Sequence, residues 1–385
     1  MKNAISAQRN CDRPGEVETS SGLAVRLVTM LSVVAIGYAF LAGLRTLSEF
    51  DLGWQMATGR WIVEHRQIPS TDVFSYTAQG QPWIYPVGPG VLFYGVYLLG
   101  GYALLSWLGA TACAGATAVL LWRRSLAAAV LAVLAVPLIA IRTRPRADMF
   151  TVVLFAIFLA VLWQQHLTGR ARLWLLPVLM ICWVNLHLGF IAGLALVAGY
   201  VVVEALELPW PSRREMAIKR LQASCPWLAA TFAATLINPY GWRIWEALLR
   251  QHTAMTAQLQ WIPEWSAAPL NRTVMSMALW PRNPGGAFHL MLLVAVAAVP
   301  LAVLQRRLGA AVLLSGAAML AVRHIRFEAL FAGVVVVVAG SVLQASLAGL
   351  PARMSNVRLG SVRYSAVLTI GAPLLAAGLA CLRCA

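Results

Sequence analysis

Long apolar runs alternate along the chain with short polar joints rich in arginine. Residues 1–22 are polar and carry Pro14, Gly15 and the acids Asp12, Glu16 and Glu18. The pattern predicts a disordered cytoplasmic tail there. An unbroken apolar run then extends from Leu23 to Leu44. It exceeds the roughly 7–15 residues of a signal-peptide core, so it predicts a membrane anchor. Further apolar runs cover roughly 100–122, 125–141, 148–165, 173–186, 188–206, 225–237, 286–304, 308–322, 327–347 and 365–382. The expected fold is an all-α polytopic membrane protein with about eleven crossings, residues 23–385 forming one transmembrane domain. Several runs fall short of the roughly 20 residues that a hydrocarbon layer requires, so tilted or broken helices are expected.

The polar joints predict the orientation. Arg123-Arg124 and Arg170/Arg172 bracket one apolar hairpin, and Arg170/Arg172 and the Arg213–Arg220 cluster bracket the next. Arg306-Arg307 and Arg353/Arg358/Arg363 bracket a third. If basic ends lie in the cytoplasm, the hairpin tips lie outside, and Lys2, Arg9 and Arg13 place the N-terminus inside. Two long stretches, 45–86 and 238–285, then fall on the outer, periplasmic side of a bacterial inner membrane. In the first, Asp51, Gln55, Thr58, Trp61/Ile62 and His65 recur at helical spacing and predict an amphipathic helix over Asp51–Arg66. Pro69-Ser-Thr-Asp72 ends it with turn chemistry. Residues 83–99 are apolar and aromatic and predict a short helix at the interface.

Composition strengthens this reading. Apolar residues make up 60% of the 385 and charged residues 11%, and mean hydropathy is +0.73. A water-soluble fold cannot hide that much apolar surface, so a soluble enzyme, a disordered chain and a secreted disulfide scaffold are excluded. The net charge of +16 would suggest nucleic acid in a soluble protein, but here the basic residues punctuate apolar segments and no nucleic-acid partner is expected. Lys2 and Lys219 are the only lysines. Arginine suits an anion site because its fork matches phosphate and carboxylate; a GC-rich coding bias explains the same excess. The cysteines sit mostly alone in apolar runs, and Cys381-Leu-Arg-Cys384 lacks a second pair or a nearby His.

On this topology the unusual polar groups converge on the outer side. The first long loop holds Glu49, Asp51, Glu64, His65 and Asp72. One hairpin tip reads Arg142-Thr-Arg144-Pro-Arg146-Ala-Asp148, another Trp183-Val-Asn185-Leu-His187-Leu-Gly189, and a third Arg323-His-Ile-Arg326-Phe-Glu328. Asn238-Pro-Tyr240-Gly241 ends the 225–237 run. Ionisable groups at membrane depth are costly, so each is a functional candidate. Each also has a structural reading. Asp51 caps a helix or acts on substrate; Asp72 holds an Asx-turn or joins it. Arg142, Arg144 and Arg146 snorkel to headgroups or bind phosphate; Arg326 or Arg323 does so unless Glu328 neutralises it. Asn185 and His187 meet one site only if the helix breaks between them, which Gly189 permits. Trp54 and Trp83, with other indoles of the outer loops, sit in an interfacial belt or stack on a sugar ring. No Walker, zincin or nucleophile-elbow motif is present, and no His/Cys/Asp cluster has metal spacing. A divalent cation between Asp51 and Asp72 is the one cofactor the acids admit.

Three segments carry a family resemblance. Asp51-Leu-Gly-Trp-Gln-Met-Ala-Thr-Gly-Arg-Trp-Ile, then Ile68-Pro-Ser-Thr-Asp72-Val-Phe-Ser-Tyr-Thr with Gln81-Pro-Trp83, resemble the first outer loop of a group of bacterial polytopic membrane proteins. Trp183-Val-Asn-Leu-His-Leu-Gly-Phe and Ile237-Asn-Pro-Tyr-Gly-Trp look like later signatures of the group. The layout is similar to GT-C class glycosyltransferases, which have many membrane helices, a long first outer loop and an acid just after the first helix. Asp51 matches that acid by position. The adjacent acidic pair of that class is absent, since Phe50 separates Glu49 from Asp51, and no soluble outer domain follows.

The resemblance implies transfer of a sugar from a polyprenyl-phosphate donor to a periplasmic glycan, lipid or protein. Asp51, aided by Asp72, would be the base, and Arg142, Arg144, Arg146, Arg323 and Arg326 would hold the donor phosphate. Glu49, Trp54, His65, Trp83, Asn185, His187, Asn238 and Tyr240 would line the substrate. A flippase or transporter of lipid-linked sugars, and a non-catalytic subunit of an envelope complex, are the competing expectations.

Overall fold

The computed structural model describes residues 14–123, 125–258, 262–272 and 284–348. The last apolar run (365–382), the arginines at 353, 358 and 363, and the Cys381/Cys384 pair lie outside the described residues, as do residues 1–13. Among the described residues the fold is helical, with no strand and one isolated bridge between Thr71 and Pro82. Five segments are long and apolar enough to cross a membrane: Leu23–Gly43, Gly88–Leu120, Asp148–Thr168, Gly285–Leu304 and Ile325–Ala348. Four apolar helices are shorter, namely Leu126–Arg142, Leu175–Leu186, Phe190–Ala205 and Leu308–Arg323. The chain is thus a multi-pass helical membrane protein.

Helix α1 (Pro14–Gly43) begins ahead of its apolar run. Residues 14–22, expected as part of a disordered tail, are therefore helical, and Pro14 takes the first helical position, where its missing N–H costs nothing. Helix α2 (Phe50–His65) is the amphipathic helix of the first loop. It lies against α3 (Gly88–Leu120), which is kinked at Gly100–Gly101. The interfacial helix expected over 83–99 and the crossing expected from 100 are the two arms of that kinked helix. A Cβ on Gly59 would stand 2.0 Å from the carbonyl oxygen of Gly90, so glycine at this crossing lets α2 touch the α3 backbone.

The hairpin of α4 (Leu126–Arg142) and α5 (Asp148–Thr168) is the interior of the bundle. Helix α4 is built from Ala, Val, Leu and Ile on all sides and is buried along most of its length. A helix apolar all round belongs in the centre of a bundle, and α1, α3, α10 (Pro284–Leu304) and the chain after residue 328 pack around it. Helices α6 (Leu175–Leu186) and α7 (Phe190–Ala205) are separated by a sharp break at His187, whose backbone is extended (φ −162°, ψ 141°). Helix α8 (Pro211–Ala234) starts within the basic cluster, well before the apolar run at 225, and α9 (Arg243–Gln258) follows the Asn238–Gly241 turn. After α11 (Leu308–Arg323), α12 (Glu328–Val334) runs through one π-helical turn (Val335–Ala339) into α13 (Gly340–Ala348). Trp183, Phe93, Phe158, Phe190, Phe288 and Phe331 are the largest fully buried side chains among the described residues, and they fill the space between these helices.

Candidate functional site

Five separate segments meet at one end of the bundle: the N-terminus of α2, the α4–α5 tip, the α6–α7 break, and the paired short turns Pro263–Trp265 and Ile325–Phe327. The two turns are tied by backbone bonds, Ile325 N–H donating to Ser266 O (3.0 Å) and Ala268 N–H to Val322 O (2.9 Å).

Asp148 is the hub of the site. Its side chain is buried at the start of α5. Arg326 Nη2 donates to Oδ1 at 2.8 Å and His187 Nε2 lies 3.0 Å from the same oxygen. Arg146 donates to Oδ2, and Arg142 Nη1 stands 3.6 Å from it. Glu264 takes the far side of the arginines, with contacts of 2.8 Å to Arg142 and of 3.0 and 2.9 Å to Arg146. Glu49 accepts from Arg144 at 2.6 Å and lies 3.5 Å from Arg146. Asp51 lies 3.9 Å from Arg146 and accepts a bond from the Trp54 indole (3.1 Å), with half of its side chain open to solvent. Four guanidinium groups thus face four carboxylates. Of the arginines expected as a phosphate ring, Arg142, Arg144, Arg146 and Arg326 are already paired with acids, because buried charges are stable only when paired. Burial opposes the charge on Glu264, but Arg146 and Arg142 outweigh it and hold its carboxyl below the usual range. Burial likewise opposes the charge on Arg146, and Asp148 and Glu264 outweigh it and raise its pKa.

The orientation of His187 follows from its neighbours. Trp183 Nε1–H donates to Thr151 Oγ1 (3.0 Å), so the threonine hydroxyl is free to donate to His187 Nδ1 (2.7 Å). Gly189 N–H donates to the same Nδ1 (3.1 Å). Nδ1 is therefore an acceptor, and the proton sits on Nε2, aimed at Asp148. A Cβ on Gly189 would stand 2.3 Å from Thr151 Oγ1 and 2.6 Å from His187 Nδ1, so a side chain there would displace this arrangement.

A cavity of about 460 Å³ opens beside the hub. Arg142, Asp148, His187 and Arg326 form its polar end, and Leu188, Ile191, Leu248, Leu249 and Leu330 form apolar walls. Trp245 and Trp265 also line it, the second lying under the Arg326 guanidinium at 4.8 Å. One end offers cationic donors and the rest offers hydrocarbon, which suits a lipid with an anionic head.

Other expected residues have structural partners. Asp72 is buried in a turn where its Oδ1 accepts the backbone N–H groups of Phe74 (2.8 Å) and Ser75 (2.9 Å). Burial would raise its carboxyl, but the bonds from Ser75 and Phe74 outweigh that and lower it, so Asp72 is a turn acid. Among the described residues no group of three or more His, Cys, Asp or Glu is placed to hold a metal. His65 stacks on Trp61 and bonds its carbonyl (2.9 Å), away from the hub. Trp54 and Trp83 meet edge to face, and Tyr85 and Phe74 complete the aromatic group. The chain does break after Asn185, but the break sends the two side chains apart. His187 joins the hub, while Asn185 Nδ2 donates to Ile181 O and Ile237 O, both at 2.8 Å. Asn238 closes its own turn through Tyr240 N–H, Thr235 O and Gly241 O. Tyr240 Oη donates to Tyr85 O (2.9 Å) and so fastens the second long loop to the first. Arg323 is exposed, and Arg326 pairs with Asp148, so Glu328 neutralises neither arginine as an ion pair.

Sequence reasoning named Asp148 only as part of a tip and did not single out Glu264, Thr151 or Trp183. The signal was the shortage of acids: with 14 in the chain, each one near buried arginines is a needed counter-charge.

A second ionic group lies at the other end of α5 and α7. Glu204 is fully buried and receives Arg220 (2.8 Å) and His166 Nδ1 (2.8 Å). Beside it Arg213 holds Glu207 (3.1 Å) and donates to Arg306 O (2.7 Å). The chain matches no protein-family model and no curated protein sequence.

Proposed function

We propose that this protein is a GT-C-like glycosyltransferase of a bacterial inner membrane, with about eleven crossings, a cytoplasmic N-terminus and the Asp148 end facing the periplasm. The donor is a polyprenyl-phosphate-linked sugar, and the acceptor is a hydroxyl on a periplasmic glycan, lipid or protein. The observation that carries this reading is the cavity, whose apolar walls end at Arg142, Arg326 and His187. The prenyl chain lies along Leu188, Ile191, Leu248 and Leu330, and the phosphate meets the guanidinium groups. As the C1–O bond to phosphate breaks, negative charge grows on the leaving group, where Arg326 and Arg142 stabilise it. The acceptor oxygen forms the new bond to C1 and gives its proton to Asp51. Asp51 suits that role better than Asp148 because it is half exposed, whereas both oxygens of Asp148 are engaged by cations.

The test compares envelope glycans of cells carrying the wild type, Asp51→Asn and Arg326→Gln at equal protein levels. Loss of one glycan in both variants is the expected result. Unchanged glycans with Asp51→Asn would remove the catalytic assignment.

The buried ionic groups at both ends of α5 favour a second reading, a flippase that hands a lipid-linked sugar from one face to the other. Movement of a labelled polyprenyl-phosphate sugar across vesicles without sugar transfer would establish it.

A further inference from the structure

One cation pair beside the cavity, Arg142 and Arg146, is occupied by the chain itself. Glu264 Oε2 lies 2.8 Å from Arg142 Nη1 and 2.9 Å from Arg146 Nη2, and its Oε1 lies 3.0 Å from Arg146 Nη1. This is the two-pronged contact that a phosphate would make with the same arginines. Arg142 also lines the cavity. With Glu264 in place, four guanidinium groups face four paired carboxylates, so an added anionic head leaves the buried cluster with excess negative charge. The backbone around Glu264 is pinned: Trp265 O contacts His324 Nδ1 at 2.8 Å, and Ser266 O accepts Ile325 N–H. The Glu264 side chain itself is 32% exposed, so it can turn out to solvent without moving that backbone.

We propose that Glu264 is an internal competitor for the ligand's anion: its carboxylate fills the Arg142–Arg146 fork in the free protein, and a lipid phosphate entering the cavity displaces it. Exchange for the single charge of a phosphodiester head, as in a polyprenyl-phosphate sugar, keeps the cluster neutral. It also sets selectivity, because a neutral lipid has nothing with which to replace the carboxylate. The proposal rests on the lipid-phosphate reading of the cavity.

The experiment measures farnesyl phosphate binding to the purified full chain in detergent, with farnesol and inorganic phosphate as comparison probes. Wild type, Glu264→Gln, Glu264→Asp and Arg326→Gln are compared. Removing the competing charge is expected to tighten farnesyl phosphate binding about tenfold in Glu264→Gln, with Glu264→Asp in between and Arg326→Gln weaker than wild type. Farnesol binding is expected to be the same in all four. If Arg326→Gln loses binding but both Glu264 variants bind like wild type or more weakly, the competitor role is overturned and the cavity reading stands. If Glu264→Gln does not fold, Glu264→Asp decides. If wild type does not prefer farnesyl phosphate to farnesol, the cavity reading and the proposal both fall. Inorganic phosphate binding as tightly as farnesyl phosphate overturns the lipid part.

Discussion

Asp148 holds more of the site's charge than any residue the sequence motifs emphasise. Three guanidinium groups and the His187 Nε2–H surround one buried carboxylate, and removing it leaves Arg326, Arg146 and Arg142 without their shared counter-charge. Asp148→Asn is therefore expected to cost about 3 kcal/mol or more in detergent unfolding, whereas Asp51→Asn, at a half-exposed acid, is expected to cost well under 1 kcal/mol. Equal destabilisation by the two would contradict the hub. Gly189→Ala makes a second test at this scale. The added methyl collides with Thr151 Oγ1 and His187 Nδ1 and turns the imidazole from Asp148. The proposed glycan transfer is expected to fall while the bundle still folds, and normal transfer in a folded Gly189→Ala protein would show that the His187 orientation is irrelevant. The sequence made His187 and Arg326 legible because polar groups stand out in apolar runs. It left Glu264 unread because a single acid in a long loop carries no spacing signal, and its partners lie over 100 positions away in sequence.

At the scale of elements, the apolar runs located most of the apolar helices, five of them long enough to cross a membrane, and the division near residue 100 becomes the Gly100–Gly101 kink. They missed the first half of α8, where the polar cluster of arginines masks a helix that Pro211 announces at its first turn. Helix α2 depends on one contact that hydropathy does not show. Gly59→Leu would drive a side chain into the Gly90 carbonyl and lift α2, with Glu49 and Asp51 at its start, away from Arg144 and Arg146. A loss of thermal stability is expected, together with loss of transfer; an unchanged melting temperature would show that α2 does not dock through this face. The Pro263–Trp265 turn gives a pH-dependent test. The Glu264 carboxyl is held below its ordinary value, so its contribution to stability is present above the unfolded value near ~4.3 and is lost as pH falls through the folded value. The wild type is expected to melt above Glu264→Gln at pH 7 by a margin on the order of 1 kcal/mol, and the gap is expected to close in acid below about pH 4. A gap that persists or widens there would mean the Arg142 and Arg146 contacts are not what stabilises the turn.

Among the described residues the buried ion pairs fall into two sets at opposite ends of α5 and α7, the Asp148 set and the Glu204 set. About 27 Å of helix separates Asp148 from His166 along α5, close to the thickness of a hydrocarbon core. Each set is locked by pairing, as buried charges must be. On the proposed topology the Glu204 end, with Arg213, Arg214, Arg170 and Arg172, is expected in the cytoplasm. That assignment has a direct test in a chain whose cysteines are replaced, with a single cysteine returned at Ser266 or at Ser212, both exposed. A membrane-impermeant thiol reagent added to intact, outer-membrane-permeabilised cells is expected to label the Ser266→Cys chain and to reach the Ser212→Cys chain only after the inner membrane is opened. Labelling of Ser212→Cys from outside would invert the molecule. The proposed transfer onto periplasmic acceptors would then be impossible at the Asp148 end, because the cavity would open toward the cytoplasm, whereas the ion-pair hub and the Glu264 displacement would stand in either orientation.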